Sequence, residues 1–321
     1  MFKTFKLSDF VKLEKIVSEK DGSTVFQNPN FLNYHGDKFE NIVLAYFEKD
    51  ELITYITLSL EKNIAHSHKG ASYGGFVQLT EISTINLGKI IDSFFIELKK
   101  INIKQFFVRF PPEIFLEKKY NLLNKKLQEK TKLNFREETT YVDLNNYYYK
   151  DLKKSKFRRN HIRDINQFSK NSKIEITKVD NKLLLEEYYK ILKSNLSKFN
   201  IEPTHKVEEL EYLIFELPNF VEINLLSVKS EFIAGITKFK LNNTALHIFY
   251  GSMDYKYSKD FSGALKYLYN YEINEAKNKG YNYLNFGVDV HHGEEPNTNL
   301  RNFKMGFNGK ITTRDSYFRD L

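Results

Sequence analysis

The chain has 321 residues, of which 41% are hydrophobic and 28% charged, a composition typical of a globular protein large enough for two domains. It contains no cysteine, which excludes a disulfide framework and a thiolate metal site. The opening MFKTFKLSDFVKLEK lacks an apolar signal-peptide core, and no apolar run approaches membrane-spanning length, so we expect a cytoplasmic protein without a transmembrane segment. The net charge of +8 suits a phosphate-bearing partner, although a solvated lysine-rich surface explains it as well.

The first half of the chain alternates apolar runs with turn signals. Two apolar runs flank Lys49-Asp50-Glu51 and predict a β-hairpin. The glycines of HSHKGASYGGFV indicate a loop and a strand where the backbone approaches another group closely. We expect a helix over 85–100, a strand over 104–110 and a helix over 113–131 to follow.

The second half repeats this order of elements. Five of its residues stand 180 positions after an identical residue of the first half: Lys229, Glu231, Ile233, Ile236 and Thr237 follow Lys49, Glu51, Ile53, Ile56 and Thr57. Tyr250-Gly251 likewise repeats Tyr73-Gly74. We therefore predict an α/β fold with mixed sheets, in which two domains over residues 1–145 and 146–321 are related by internal duplication.

The stretch 245–288 predicts a strand, a loop, a helix that begins near Gly263 and ends at Gly280, and a second strand. Free backbone N–H groups and the positive end of the helix dipole at Ser262, Gly263 and Ala264 would suit a pyrophosphate. The pattern thus indicates a donor substrate that carries phosphate.

A basic segment, SKFRRNHIRDI, connects the halves, and Arg159 and Arg163 share one face of its predicted helix. These two arginines could contact phosphate. A solvated face of the first helix of the second domain is the alternative.

Four stretches together resemble one family: SYGGFV (72–77), SKFRRNHIRDI (155–165), the unit 245–288, and LRNFKMGFNGK (300–310). They are similar to the double-domain, Fem-like branch of the GNAT superfamily of N-acetyltransferases, which includes peptidoglycan bridge aminoacyltransferases. The resemblance covers nearly the whole chain. It implies two tandem GNAT-like domains and an N-acyltransferase activity.

The resemblance has two departures at the donor site. Where the family has Arg or Gln and then Gly before the helix, this chain has Lys259 and Ser262, so the resemblance places Lys259, Ser262, Gly263 and Ala264 at the phosphates of acyl-CoA. No heptad run corresponds to the coiled-coil arm with which some relatives bind transfer RNA. Aminoacyl-tRNA stays open as an alternative donor.

Acyl transfer to an amine needs a proton acceptor and stabilisation of an oxyanion. His247 has a suitable pKa range for the base, although a lone histidine in an apolar strand also fits a hydrogen-bonded core residue. The strand alternation puts Tyr250 on the face opposite His247, and we assign Tyr250 and its counterpart Tyr73 to substrate binding.

Two carboxylates are further catalytic candidates. Asp254 and Asp289 follow strands at the ends where ligands tend to bind, and turn chemistry or helix capping is their alternative. A polar cluster contains Asp289, His291, His292, Glu294 and Glu295. It lies in one loop without a separated second ligand set, so we expect no metal site.

Lys304 stands between Phe303 and Phe307, in the stretch similar to the family's Phe-Lys motif. The resemblance implies a substrate-facing cation there, while the alternative is a surface lysine. On the first interpretation, Lys304→Met should reduce turnover with little loss of thermal stability.

These observations predict an acyltransferase that uses acyl-CoA to modify an amine of a sugar nucleotide, a lipid-linked precursor or another phosphate-bearing envelope intermediate. The alternatives are a transfer-RNA-dependent aminoacyltransferase of peptidoglycan bridge formation, with transfer RNA as a partner, and a non-catalytic binding protein on a degenerate GNAT fold.

Overall fold

The computed structural model describes residues 1–12, 22–145, 152–198, 200–289 and 297–321. The described chain forms two compact units. Unit 1 contains residues 1–137, 241–243 and 313–321, and unit 2 contains residues 138–240 and 244–312. The polar loop residues His291, His292, Glu294 and Glu295 lie outside the described residues.

Unit 1 is a mixed sheet with helices. Its elements are β1 (Phe2–Lys6), α1 (Leu7–Val11), α2 (Pro29–Leu32), β2 (Glu40–Glu48), β3 (Glu51–Glu61), β4 (Ile64–Ser67), β5 (Phe76–Gln78), α3 (Thr84–Lys100), β6 (Gln105–Arg109) and α4 (Leu122–Glu129). The strand order is β1-β2-β3-β4-β6, with β5 beside β3 and with β4 and β6 parallel. The residues Ser316–Asp320 pair antiparallel with β6 and complete this sheet.

Unit 2 repeats the order of hairpin, strand, helix and parallel strand. Its elements are α5 (Arg159–Phe168), β8 (Ile174–Lys178), α6 (Lys182–Ser197), α7 (Val207–Phe215), β9 (Val221–Val228), β10 (Glu231–Lys240), β11 (Ala245–Met253), α8 (Ala264–Asn278), β12 (Tyr283–Val288) and α9 (Thr298–Met305). The strands β7 (Lys132–Asp143) and β13 (Lys310–Asp320) each cross the division between the units. Within unit 2 the order is β7-β12-β11-β10-β9-β8, and β11 and β12 are parallel.

Both predicted hairpins are present, and their turns are alike. Lys49 and Asp50 have φ values of 46° and 69°, while Lys229 and Ser230 have 51° and 70°. Positive φ at both central residues is the turn geometry that matches the right-handed twist of a two-stranded ribbon. The mixed α/β fold class predicted from the sequence is confirmed.

Each unit has its own hydrophobic core. In unit 1, α3 buries Ile90, Ile91 and Phe94 against the sheet. In unit 2, α8 buries Leu268, Tyr269 and Ile273 together with Phe307. The three-and-four spacing of these apolar residues on both helices explains why the same face is buried along each helix.

The prediction of one helix is mostly wrong. The stretch expected to be helical over 113–131 instead forms two short 3-10 turns and then α4, which begins at Leu122. Just inside this helix, Asn124 Oδ1 accepts from the amide of Phe76 at 2.7 Å and its Nδ2 donates to the Phe76 carbonyl at 3.0 Å. These tertiary bonds fix the start of α4 and override the local helical pattern.

Candidate functional site

The carboxyl ends of β11 and β12 form an opening in the sheet of unit 2. The two parallel strands are in register only from Ala245 to His247 on β11, opposite Tyr283 to Asn285 on β12. The pairing of β12 with β7 also shifts between Asn285 and Val288. Ligands of α/β proteins commonly bind outside the carboxyl ends of parallel strands, so this is the place where a site can form.

Gly287 bends the backbone near the end of β12, and we call this bend the glycine turn. It has a φ of 73°, and its amide donates to Asn285 Oδ1 at 3.0 Å. Asn285 is fully buried, and its Oδ1 also accepts from Thr139 Oγ1 at 2.8 Å. A Cβ at position 287 would lie 3.1 Å from Cε1 of His247. Glycine is therefore needed both for the backbone angle and for the position of the His247 ring.

Lys304 extends from α9 to the same turn. Its Nζ donates to the carbonyl of Gly287 at 2.9 Å and to that of Val288 at 2.5 Å. Only 3% of the residue is exposed, so the alternative of a surface lysine is wrong. The ammonium places a buried positive charge at the end of β12, and these two bonds give it a structural use that the sequence did not predict.

Asp289 continues from β12 and is held by an arginine. Arg301 Nε donates to Asp289 Oδ2 at 2.6 Å, and its terminal nitrogen donates to Glu138 Oε2 at 2.6 Å. The hydrogen bond to Asp289 is the main reason that the pKa of Arg301 is raised. Asp289 is thus a buried carboxylate that is ion-paired with Arg301. Arg301 stands three residues before Lys304, and this helical spacing was the available sequence signal.

His247 is buried with 6% exposure, and its ring centroid lies 6.0 Å from that of Phe249. The predicted alternation beyond it is broken, because the register between β10 and β11 shifts opposite Thr237 and Lys238. As a result, Phe249 and Tyr250 both contact the ring of His205, at 5.1 and 5.8 Å. The simple assignment of Tyr250 to the face opposite His247 is therefore corrected by a bulge.

Tyr250 meets a histidine that the sequence did not identify. Its hydroxyl lies 3.1 Å from Nδ1 of His205 and accepts from the His205 amide at 3.3 Å. Burial is the main reason that the pKa of Tyr250 is raised. Tyr250 therefore stays a neutral phenol that can both donate and accept hydrogen bonds.

Asp254 adopts the capping role that the sequence left open as its alternative. Its Oδ1 accepts from Ser194 Oγ at 2.8 Å and from the amide of Lys256 at 3.1 Å. This arrangement caps the 3-10 turn Tyr255–Tyr257.

The amino end of α8 is covered by α5. A Cβ on Gly263 would lie 2.3 Å from the carbonyl oxygen of Asp164, and Gly263 and Ala264 are buried. The amide of Ala264 donates to the carbonyl of Phe261 at 2.9 Å. The expectation of a free Ala264 N–H is therefore wrong, and Lys259 and Ser262 are the exposed residues of the predicted phosphate site.

The other end of α5 packs against α9. The amide of Arg158 donates to the carbonyl of Gly306 at 2.9 Å, and His161 Nε2 donates to that of Phe303 at 2.9 Å. A Cβ on Gly306 would lie 2.2 Å from the His161 ring. The stretches 155–165, 245–288 and 300–310 are thus packed together within unit 2.

The predicted phosphate contacts Arg159 and Arg163 lie on the outer face of α5, and both are exposed. Arg163 Nε donates to Oδ1 of the neighbouring Asp164 at 3.0 Å. Asp164 also pairs with Lys266 of α8 at 2.5 Å. The exposed pair of Arg163 with Asp164 contributes little to stability, so Arg163 can exchange this contact for a ligand.

Tyr73 lies in unit 1 beside a charged cluster. Tyr73 is 2% exposed, and the Arg314 guanidinium is 6.0 Å from the centroid of its ring. Arg314 donates to Glu137 Oε2 at 2.6 and 2.9 Å, and Arg109 Nε lies 4.0 Å from the same oxygen. Burial, followed by repulsion from Arg314, lowers the pKa of Arg109 to about 10. Sequence reasoning missed these partners, which are far apart in the chain.

No group of three or more His, Asp or Glu side chains in the described ranges is arranged to hold a metal ion. No helix within those ranges combines the length and apolarity needed to cross a bilayer.

Comparison with known proteins gives structural matches only. No family model matches the chain, and no curated protein sequence does. The crystal structure of FemX is similar with a TM-score of 0.72 at 11% identity, over 99% of this chain and 97% of FemX. The C-terminal domain assigned to a lysylphosphatidylglycerol synthetase of Agrobacterium fabrum gives 0.63 at 13% identity, over 98% of this chain and 92% of the domain.

A tandem GNAT protein from the clavulanic acid biosynthesis pathway, in its form without AcCoA, is also similar. Its TM-score is 0.53 at 6% identity, over 100% of this chain and 98% of that protein. At these identities the likeness establishes the fold and leaves the activity to be argued from the site. The chain therefore has the fold that FemX and the tandem GNAT protein share.

Proposed function

We propose that this protein is an acyltransferase that moves an acyl or aminoacyl group to an amine of a phosphate-bearing cell-envelope molecule. The observation that carries the proposal is the buried Lys304 ammonium at the carboxyl end of β12, with His247 beside the same glycine turn. A proton acceptor and a fixed cation at the end of two parallel strands are the groups that acyl transfer requires.

His247 is the proposed base. It takes the proton from the attacking amine while the new C–N bond forms and the bond from the acyl carbon to the leaving group breaks. The departing sulfur of coenzyme A, or the departing ribose oxygen of transfer RNA, takes up the proton that His247 accepted, which returns His247 to its neutral form. Lys304 holds the Gly287–Val288 carbonyls in place and supplies positive charge near the developing oxyanion.

Acyl-CoA is the donor that we would test first. Support comes from the tandem GNAT neighbour, which is described as the form without AcCoA and so is named by reference to that ligand. Within the predicted phosphate site, we assign the contacts to the exposed Lys259 and Ser262, and we assign Gly263 and Ala264 to packing against α5. The exposed Arg159 and Arg163 supply further charge for phosphate groups of the donor or acceptor.

A transfer-RNA-dependent aminoacyltransferase is the second candidate. The cover of α5 over the amino end of α8 favours it, because that helix end is less accessible to a pyrophosphate. One structural neighbour is the C-terminal domain assigned to a lysylphosphatidylglycerol synthetase, and the product in that name is an aminoacylated, phosphate-bearing lipid. On this alternative the acceptor is lipid-linked and the donor is a charged transfer RNA.

The test is intact-mass analysis of acceptors after incubation with the purified protein. Candidate sugar nucleotides, lipid-linked precursors and amino lipids are each offered with acetyl-CoA or with a mixture of charged transfer RNAs. We expect one donor class to add its acyl mass to one acceptor class, and His247→Gln to abolish that addition while keeping the wild-type melting temperature. If the folded protein transfers neither donor to any acceptor but binds one of them, the non-catalytic alternative replaces the proposal.

A further inference from the structure

Unit 2 contains a pocket that the transfer site does not use. It lies between the loop before β9, the first residues of β9 and β11, the last residues of β10 and the C-terminal end of α8. The proposed transfer site uses His247 and Gly287, at and beyond the point where the pairing of β11 with β12 ends, and neither residue lines this pocket. Part of the wall is apolar and is formed by Pro218, Phe220, Val221 and Leu246. The remaining wall is polar or charged.

A buried ionic network forms the base of the pocket. Lys238, which is 4% exposed, lies between Glu222 Oε1 and Glu272 Oε2, with both distances at 2.5 Å. Asn224 Nδ2 donates to the other oxygen of Glu272 at 2.7 Å. Buried charges are costly unless they are paired and hydrogen-bonded, and here the three charged groups satisfy one another. Lys238 is thus committed to the protein, and any ligand must be bound by other groups.

The rim of the pocket carries positive charge in excess. Lys279 lies 3.5 Å from Glu222, and Lys178 lies 4.0 Å from it. Lys240 lines the pocket, and its ammonium forms no ion pair or hydrogen bond with a described residue. Lys178, Lys238 and Lys279 therefore share the two glutamates Glu222 and Glu272, and with Lys240, which is unpaired among the described residues, the four lysines exceed the two glutamates by about two positive charges.

The size of the pocket limits the ligand. The free space is about 80 Å³. Since one water needs roughly 10–15 Å³ by this measure, the pocket has room for roughly five to eight non-hydrogen atoms. A molecule of this size that satisfies both walls has one anionic group and a short carbon skeleton.

We propose that this pocket is a second ligand site, separate from the transfer site, which binds a small organic anion through Lys240 and Lys279. The anionic group lies between the two ammonium groups at the rim. The carbon skeleton packs on Phe220 and Leu246, and the Lys238 network keeps the base of the pocket rigid. A carboxylate and a phosphate are the two forms that this charge pattern accepts.

The test is a titration of the isotope-labelled full chain, followed by amide chemical shifts. The probes are butyrate, inorganic phosphate and butylamine, which has the size of butyrate but the opposite charge. We expect saturable shifts with a Kd on the order of 1–10 mM, as suits so few atoms, confined to amides around Lys240, Leu246 and Tyr281. Saturation by butyrate identifies a carboxylate site, and saturation by phosphate alone identifies a phosphate site.

Variants make the result specific. Lys240→Gln and Lys279→Gln should each raise the Kd about 5- to 10-fold, whereas Lys193→Gln, an exposed lysine on α6, should leave it unchanged. The proposal is overturned if neither anion saturates, if butylamine gives the same shifts, or if Lys240→Gln binds as tightly as the wild type. Because no turnover is measured, failure here leaves the proposed transfer activity unaffected.

Discussion

Replacing Lys304 by Met tests whether the buried ammonium supports the fold as well as the chemistry. Met has a similar length and removes the charge, so the apolar packing between Phe303 and Phe307 is largely kept. The carbonyls of Gly287 and Val288 then lose their donor. The sequence predicted loss of turnover with little loss of stability, whereas these bonds predict loss of both.

The expected size follows from two opposing contributions. Two hydrogen bonds from a charged donor contribute about 1.5–3 kcal/mol each. Removal of the ammonium also relieves a desolvation cost of several kcal/mol, which offsets part of this loss. We expect the free energy of unfolding to fall by about 1–3 kcal/mol, which corresponds to roughly 3–10 °C in Tm for a unit of this size.

The assay is thermal melting followed by turnover at a temperature where both proteins are folded. Lys310→Met is the matched control, because its exposed pair with Asp143 should contribute less than about 1 kcal/mol. Lys304→Arg should recover only part of the stability, since a planar guanidinium cannot place its donors where the ammonium does. A Lys304→Met variant that melts like the wild type and loses substrate affinity would refute the structural role and restore the substrate contact.

Three further predictions concern stability. Gly306→Ala places a Cβ 2.2 Å from the His161 ring and should lower the free energy of unfolding by about 1–3 kcal/mol. Gly88→Ala in α3 is its control: the atom nearest to the new Cβ is 4.0 Å away, so the free energy of unfolding should rise by roughly 0.5–1 kcal/mol. Equal shifts in the melting temperature of the two variants would contradict this pair of expectations. Burial opposes ionisation of Glu222, but Lys238 and neighbouring lysines outweigh it and hold its pKa at about 2. Its contribution is complete above pH 4.5 and is lost as the pH falls through 2, so Glu222→Gln should cost roughly 2 kcal/mol at pH 7 and progressively less below pH 4.5 in denaturant titrations. Burial, with repulsion from His35, lowers the pKa of His68 to about 3. The neutral form stabilises the fold above pH 6.5, and that contribution is lost as the pH falls from 6.5 toward 3, so the stability of His68→Gln should fall less steeply than that of the wild type in this interval. Parallel stability profiles would show that His68 is not the titrating group.

Local sequence patterns predicted several of the strands and close backbone contacts correctly. The strands β11 and β12 begin and end the stretch 245–288 as predicted, because each is an apolar run bounded by turn residues. The predicted close approach at Gly74 is also real, since a Cβ there would lie 1.6 Å from the carbonyl oxygen of Ser67. Such features depend on neighbours in the sequence, and the sequence displays them directly.

The site was less predictable because its contacts join backbone groups or side chains that are far apart in the sequence. The partners of Lys304 are backbone carbonyls, which have no residue-type signature. Arg109, Glu137 and Arg314 meet only after the sheet of unit 1 has formed. The bulge that redirects Tyr250 arises from pairing with β10, so no alternation rule applied to β11 alone could have found it.

Completion of unit 1 by Ser316–Asp320 has a consequence for folding during synthesis. The edge of β6 that accepts this segment is made about 200 residues earlier, and at 5–20 residues per second the ribosome needs roughly 10–40 s to supply the partner. Throughout that interval the N–H and C=O groups on that edge of Gln105–Arg109 have no strand to pair with, which is a hazard for aggregation. We therefore expect the nascent unit to depend on chaperones until Ser316–Asp320 emerges, and the β6 amides on that edge to become protected from hydrogen exchange only after this segment has paired with them.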